Sequence, residues 1–143
     1  MKKIVSLTLA LLLMLSLALS LVACGETPSD PSAEGSLWDT AIYSSDATVG
    51  EGSKTVTVSF TAEGKTVTLT VKTDADNLGA ALYALALVND PSFFDTANGM
   101  QASWAKHKAY WAFYIGDAYA TSGIDDTAVT GGESFSLVYT VSP

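Results

Sequence analysis

The chain has 143 residues, a length that suits a single domain, and its formal net charge is −8. It carries 7 lysines, no arginine and 15 acidic residues. This balance argues against nucleic acid or anionic lipid headgroups as partners, because both are bound by cationic surfaces. A single cysteine excludes an intramolecular disulfide, and a single histidine leaves little material for a metal cluster.

Residues 1–23 have the charge and hydropathy plan of a secretory signal peptide. Lys2 and Lys3 precede an uncharged apolar run over residues 4–19, which is short for a permanent membrane span. The run ends in Leu-Val-Ala-Cys, an ending that resembles a bacterial lipobox, in which the cysteine is lipid-modified and becomes the first mature residue. The sequence therefore predicts an extracytoplasmic protein whose Cys24 is anchored by acyl chains to the bacterial cell membrane.

Composition divides the rest of the chain into a tether and a domain. Removal of residues 1–23 would leave five lysines against 15 acidic residues, a formal charge of −10. Residues 24–36 are polar, contain two prolines and two glycines, and show no apolar period, so they are interpreted as a flexible tether. The predicted domain covers residues 37–143.

Alternating valine and threonine residues predict a β-hairpin at the start of the domain. A tight turn at Glu63-Gly64 would place all the apolar residues on one face and the hydroxyls on the other. The expected cross-strand pairs are Phe60 with Val67, Val58 with Leu69 and Val56 with Val71. A slip of one residue would destroy this agreement, so the register is well specified.

One helix is predicted after this hairpin, because Leu78, Leu82 and Leu85 recur at helical spacing. Either Asp74 or Asp76 is expected to cap its N-terminus.

Residues 92–108 show no lasting period. A short strand over residues 93–97, a turn at Asn98-Gly99 and a loop that carries Trp104 are expected there. The only histidine, His107, lies between two lysines, and a solvated loop residue is favoured over an axial metal ligand.

The richest aromatic stretch, residues 109–123, predicts a second hairpin with its turn at Gly116-Asp117. Its pairs would be Ile115 with Ala118, Tyr114 with Tyr119, Phe113 with Ala120 and Trp111 with Ser122. The face expected to join the core carries Trp111, Phe113, Ile115, Ala118 and Ala120. The opposite face carries Tyr110, Ala112, Tyr114, Tyr119 and Thr121. A last strand is predicted over residues 134–141.

Tyrosines outside a core offer flat apolar area with hydroxyl groups at the rim, which suits a ligand or partner. Tyr110, Tyr114 and Tyr119, together with Trp104, are therefore the candidate ligand-binding residues. The alternative is that this face is ordinary sheet surface or is covered by another element.

The order of elements indicates an α+β fold with the content of a β-grasp: one helix packed on a mixed or antiparallel sheet built from two hairpins and a final strand. Residues 54–140 also resemble the transcobalamin-like C-terminal domain family, found in bacterial surface lipoproteins and in the β-domain of vertebrate cobalamin carriers. The residues that carry the resemblance are the valine-rich hairpin ending in Asp74, the helix start at residues 78–82, Asn98-Gly99, residues 110–115 and residues 131–135. Two places depart from the family pattern: Gly116-Asp117, where Asn-Gly or Asp-Gly is common, and residues 104–108, where the family tends to be acidic.

The resemblance implies a lipid-anchored binding protein that captures a small molecule such as a corrinoid or cobalamin, with no other cofactor required. In the vertebrate carriers a helical domain shares the ligand, and no such domain is present in this chain. The alternative is a cell-surface module that docks an envelope protein or a glycan. No acid pair at a recognisable spacing, no H-E-x-x-H and no nucleophile-elbow motif occurs, so no enzyme is predicted.

Overall fold

A computed structural model describes residues 35–143, which form a compact unit of their own. The predicted signal peptide, Cys24 and the tether up to residue 34 lie outside the described residues. Ser36, which the sequence assigns to the tether, caps a short 3-10 helix (Leu37–Thr40) and donates from its Oγ to Glu63 at 2.6 Å. Within residues 35–143, no helix is long and apolar enough to cross a membrane.

A six-stranded mixed sheet forms the body of the domain. Its strands are β1 (Ala47–Gly50), β2 (Lys54–Ala62), β3 (Lys65–Thr73), β6 (Ala109–Ile115), β7 (Ala118–Tyr119) and β8 (Ser134–Val141). They lie side by side in the order β1-β3-β2-β8-β6-β7, and β8 runs parallel to β2 at the centre. A separate two-stranded ribbon consists of β4 (Thr96–Ala97) and β5 (Met100–Gln101). The helices are α1 (Leu78–Ala84) and α2 (Trp104–His107). The predicted α+β, sheet-dominated fold is confirmed.

The first hairpin has the predicted register. Phe60 pairs with Val67 and Val58 with Leu69 around the Glu63-Gly64 turn. Both turn residues have positive φ, 51° and 75°, as a two-residue turn between twisted strands requires. On the hydroxyl face, Thr61 and Thr66 lie 2.8 Å apart and share a hydrogen bond.

The hydrophobic core lies on one face of the sheet, and α1 covers it. Leu78 and Leu82 of α1 are fully buried, which contributes about 1.5–3 kcal/mol for each side chain. The strands contribute the alternate, inward-facing residues that the pattern predicts: Val56, Val58, Phe60, Val67, Leu69, Val71, Phe135 and Leu137.

The cap of α1 differs from the prediction. Asn77, and neither Asp74 nor Asp76, is the N-cap, and its Oδ1 accepts from the backbone N–H of Ala80 at 2.8 Å. Asp74 instead accepts from the backbone N–H and hydroxyl of Ser53, which closes the β1–β2 loop. The helix also ends at Ala84, before Leu85, because Ala86 takes a left-handed φ of 55°.

The second hairpin is shorter than predicted. Tyr114 pairs with Tyr119 and Ile115 with Ala118, as expected, but β7 ends there. Ala120 still donates its N–H to Phe113, whereas Trp111 pairs with Tyr139 of β8 and not with Ser122. β7 therefore pairs with only the end of one edge of β6, whereas β8 pairs with the whole of its other edge.

This shorter hairpin changes which residues join the core. Trp111 and Phe113 are buried as predicted. Ile115 and Ala118 are exposed and Ala120 is half-buried, since they lie at the sheet edge beyond the core.

Residues 92–108 also differ from the expectation. The strand is only Thr96–Ala97, and Phe93 lies outside it with 92% of its surface exposed. The Asn98-Gly99 turn is confirmed, with φ of 49° and 80°. Trp104 begins a single helical turn where a loop was predicted, because the hydroxyl of Ser103 accepts from the backbone N–H of Lys106 and caps it.

Candidate functional site

An open groove of about 370 Å³ lies beside the start of β6. Four short segments border it: the segment before β4, strand β5, helix α2 and the first residues of β6. The groove is lined by Phe94, Asp95, Gln101, Ala102, Ser103, Trp104, Ala105, Ala109 and Tyr110. Its volume falls within the usual range for a small-molecule site, about 300–1,000 Å³.

The backbone on both sides of α2 positions the aromatic wall of this groove. Ser103 caps the start of the helix, and Lys108 ends it with a left-handed φ of 54°. The backbone N–H of Lys108 donates to Trp104 at 3.0 Å, and that of Ala109 donates to Ser103 at 3.4 Å. This tight reversal brings the start of β6 back alongside Trp104.

Trp104 and Tyr110 form the aromatic part of the groove. Their ring centroids are 6.4 Å apart at an interplanar angle of 58°, and 55% of Trp104 and 38% of Tyr110 are exposed. The Lys108 Nζ lies 5.4 Å from the Trp104 ring centroid, within cation–π range. Trp104 therefore stands beside the tyrosine face and does not pack in the core.

Tyr114 and Tyr119 form a second aromatic pair. Their rings meet edge to face with centroids 5.3 Å apart, and 58% of Tyr119 is exposed. Tyr110 and Tyr114 share one face of β6, four residues or about 13 Å apart. The structure thus places the four candidate residues in two pairs, and only the pair Trp104 and Tyr110 lines the groove.

The side of β6 that faces the core holds the tyrosine-bearing side of the strand in place. Trp111 donates from its Nε1 to the backbone carbonyl of Met100 at 3.2 Å, which ties β6 to β5. Its ring meets Tyr139 edge to face at 5.7 Å. The burial of Trp111 between β5 and β8 therefore fixes the strand from which Tyr110 projects.

Sequence reasoning missed most of the polar lining. Asp95, Gln101 and Ser103 border the groove, and none was a candidate. The signal that could have found them is the Asn98-Gly99 turn, because a tight turn brings Thr96 opposite Gln101 and so folds Asp95 towards the strand that leads to α2.

Hydrogen bonds keep Asp95 ionised. Its carboxylate accepts from the Thr96 hydroxyl at 2.7 Å, the Gln101 amide at 3.1 Å and the Asn89 amide at 2.9 Å. These donors, Thr96 first, lower the pKa of Asp95 below its ordinary value. Asp95 therefore acts as the centre of a polar cluster that holds one wall of the groove.

Within residues 35–143, no three histidine, cysteine or acidic side chains are arranged so that they could hold a metal ion. His107 is exposed in the last turn of α2, next to Trp104 in the same helix. The structure therefore places His107 on the surface of α2 and gives no indication that it binds a metal.

Solved structures with a similar fold include the following two. A candidate metal-binding protein from Ruminococcus gnavus ATCC 29149 is 25% identical over 64% of this chain and 100% of its own, with a TM-score of 0.58. Haptocorrin in complex with Cbi is 13% identical over 66% of this chain, with a TM-score of 0.51. The match covers 27% of the haptocorrin chain, so this chain corresponds to about a quarter of that protein. No protein-family model and no curated protein matches the sequence.

Proposed function

We propose that this chain is a lipid-anchored, extracytoplasmic binding protein that captures a planar small molecule, with a corrinoid as the leading candidate, and does not transform it. The observation that carries the proposal is the groove walled by Trp104 and Tyr110, because two exposed rings beside a concave surface offer flat apolar area to a flat ligand. The likeness to haptocorrin, whose structure contains Cbi, supports the choice of ligand class. On this reading the chain is a member of the transcobalamin-like C-terminal domain family.

The size of the groove defines the mode of binding. A corrin ring with its side chains is larger than a space of about 370 Å³. The groove therefore contacts one side of such a ligand and leaves the other side for solvent or a partner. A one-sided contact is consistent with a match that covers only 27% of the haptocorrin chain.

The proposal predicts a ligand response across a panel of corrinoids and porphyrins. We expect a change in the visible spectrum of cobinamide or cobalamin and a rise in the melting temperature of the protein, since a ligand at 100 times its Kd stabilises the folded state by about 2.7 kcal/mol. Substitution of Tyr110 by alanine should weaken binding more than Tyr119→Ala, because only Tyr110 lines the groove. No response to any member of the panel would refute the small-molecule function.

The membrane anchor is a separate part of the proposal. Cys24→Ser should abolish acylation and release the protein from the membrane fraction, because no other cysteine exists in the chain. Metabolic labelling with a radioactive or clickable fatty acid, followed by membrane fractionation, measures both effects. Retention of label in Cys24→Ser would contradict the anchor.

A second candidate is a surface module that docks an envelope protein or a glycan. Phe93 favours it, because this side chain is 92% exposed at a turn that Asp90 holds rigid by accepting from the N–H groups of Ser92 and Phe93 at 2.8 Å. A partner recovered from envelope extracts by wild type but not by Phe93→Ser, with no small ligand bound, would favour docking over capture.

A further inference from the structure

A cationic segment, Lys106-His107-Lys108, lies at the end of α2 in a chain where acidic residues outnumber lysines by 15 to 7. All three side chains are exposed. Ala105 and Ala109, on either side of the segment, line the groove. Positive charge is therefore concentrated beside the aromatic site of an acidic domain.

The other lysines in the described part of the chain stand elsewhere. Lys54 bonds to the carboxylate of Asp76 at 3.2 Å and to a backbone carbonyl at 2.9 Å. Lys65 lies over the ring of Trp38, 4.4 Å from its centroid. Lys72 is exposed on β3 and forms no part of the groove lining.

Lys108 does not line the groove itself but adjoins it, because it precedes the lining residue Ala109 and its ammonium group lies near the ring of the lining residue Trp104. It adopts a left-handed φ of 54°, which residues other than glycine rarely adopt, and its N–H bonds to Trp104. This backbone conformation directs the chain into β6 while the ammonium group lies 5.4 Å from the Trp104 ring centroid. A ligand stacked on Trp104 would therefore lie within a few ångströms of a positive charge.

The groove contains one carboxylate that could oppose an anion. The Asp95 carboxylate accepts hydrogen bonds from the uncharged donors Asn89, Thr96 and Gln101, which stabilise its negative charge without cancelling it. Acid groups of a ligand are therefore expected away from Asp95, at the Trp104 wall. The positive charge next to the Trp104 ring is that of Lys108, and Lys106 is an exposed residue of the same short helix as Trp104.

We propose that the groove selects planar ligands that carry acid groups, such as a carboxylated tetrapyrrole, with the ring on Trp104 and Tyr110 and the acid groups at Lys106 and Lys108. This inference rests on the proposed function and adds to it that tetrapyrroles with acid side chains bind more tightly than those, such as cobinamide, whose ring side chains are amides. An attraction between exposed charges is modest and screened by salt, so we expect each lysine to change affinity by about threefold to tenfold at low ionic strength.

Two synthetic porphyrins of similar size and opposite charge test the inference: tetrakis(4-carboxyphenyl)porphyrin and tetrakis(N-methylpyridinium-4-yl)porphyrin. The full-length chain, held in a non-ionic detergent, is titrated with each and followed by the Soret band. The net charge of the protein alone favours the cationic ring, so tighter binding of the anionic ring would support a local site. Lys106→Gln and Lys108→Gln should each weaken the anionic ring, and Lys72→Gln, the matched control, should not.

The outcomes separate this inference from the function on which it rests. Equal or tighter binding of the cationic ring, or equal losses in Lys72→Gln and Lys106→Gln, would overturn the selection of acid groups. If cobinamide still binds in that case, and Trp104→Ala abolishes the binding, the proposed capture function stands without the selection of acid groups. If anionic phosphatidylglycerol vesicles bind in a Lys106- and Lys108-dependent way while neither porphyrin does, the segment contacts membrane and the inference is wrong.

Discussion

Asn98 is the residue on which the N-terminal part of the domain depends. Its side chain is fully buried, and it accepts from the N–H of Tyr43 at 2.9 Å and donates to the carbonyl of the same residue at 2.8 Å. Its backbone bonds to Leu87 and Ile42. The side-chain amide of Asn98 thus takes the place of a neighbouring strand for residues 42–43, which belong to no strand of the sheet.

Asn98→Ala should lower the free energy of unfolding by about 2–3 kcal/mol, because two part-buried backbone groups of Tyr43 lose their partners and alanine tolerates the left-handed φ of 49° poorly. Asn98→Gly is the matched control, since glycine accepts that φ and leaves only the hydrogen-bond loss. Urea denaturation of both variants measures the difference. A change below about 0.5 kcal/mol in both would contradict this role.

Sequence reasoning recognised Asn98 only as half of a turn. The Asn-Gly pair predicts the backbone conformation correctly, because both residues tolerate positive φ. The burial of the side chain could not be predicted, since its partner, Tyr43, lies 55 residues away and carries no pattern that points to it.

At the scale of elements, α1 packs more closely than its sequence indicates. An added Cβ at Gly79 would lie 2.2 Å from the carbonyl oxygen of Pro91 and 3.1 Å from the Cα of Asp125, both of them backbone atoms. The helix therefore touches two loops across a glycine.

Gly79→Ala should destabilise the protein by about 1–3 kcal/mol, although alanine favours a helix by about 1 kcal/mol over glycine. The clash with fixed backbone outweighs the gain in propensity. The exposed neighbour supplies the control: Ala80→Gly should cost about 1 kcal/mol from propensity alone. A higher melting temperature for Gly79→Ala than for wild type would show that the loops around Pro91 and Asp125 move to accommodate the added methyl group.

The loop that enters β8 is closed by Glu133. Its carboxylate accepts from the hydroxyl and N–H of Thr130 and from the N–H of Gly131 at 2.8 Å, and these bonds, the Thr130 hydroxyl first, lower the pKa of Glu133 to about 2. Because the pKa of Glu133 is lower in the folded state than its ordinary value of 4.5, the ionised carboxylate stabilises the folded protein at pH values above 4.5. This stabilisation is lost as the pH falls from 4.5 towards 2.

Glu133→Gln should therefore be less stable than wild type at pH 7, and the two proteins should converge between about pH 4.5 and 2. Denaturation midpoints across that range measure the convergence. A gap between the two proteins that stays constant with pH would contradict the ionised clamp.

The two hairpins show what determines the success of sequence reasoning at this scale. β2 and β3 alternate over nine residues each, so only one register buries Val58 and Leu69 together. The second hairpin has a strong turn, but the end of its return strand could not be predicted, because the ladder stops at Tyr119 and only the N–H of Ala120 still bonds to β6. Long-range strand order leaves no local trace in the sequence.

At the scale of the whole molecule, the predicted α+β sheet is confirmed, whereas the groove was predicted only in part. Trp104, Tyr110, Tyr114 and Tyr119 were predicted as ligand-binding residues, yet the structure divides them into two pairs, and only the first pair lines the groove. The walls come from segments that share no sequence period. Only the folding of these segments beside the start of β6 brings them together.

The central claim is that a planar ligand binds against Trp104. Titration of the full-length chain with cobinamide, followed by visible absorption, compares wild type with Trp104→Ala and with Tyr83→Ala, an aromatic residue of α1 that is 54% exposed and outside the groove. We expect Trp104→Ala to weaken binding at least tenfold, a loss of about 1.4 kcal/mol, and Tyr83→Ala to bind as wild type does. Equal affinity in all three proteins, or no binding in any, would contradict it.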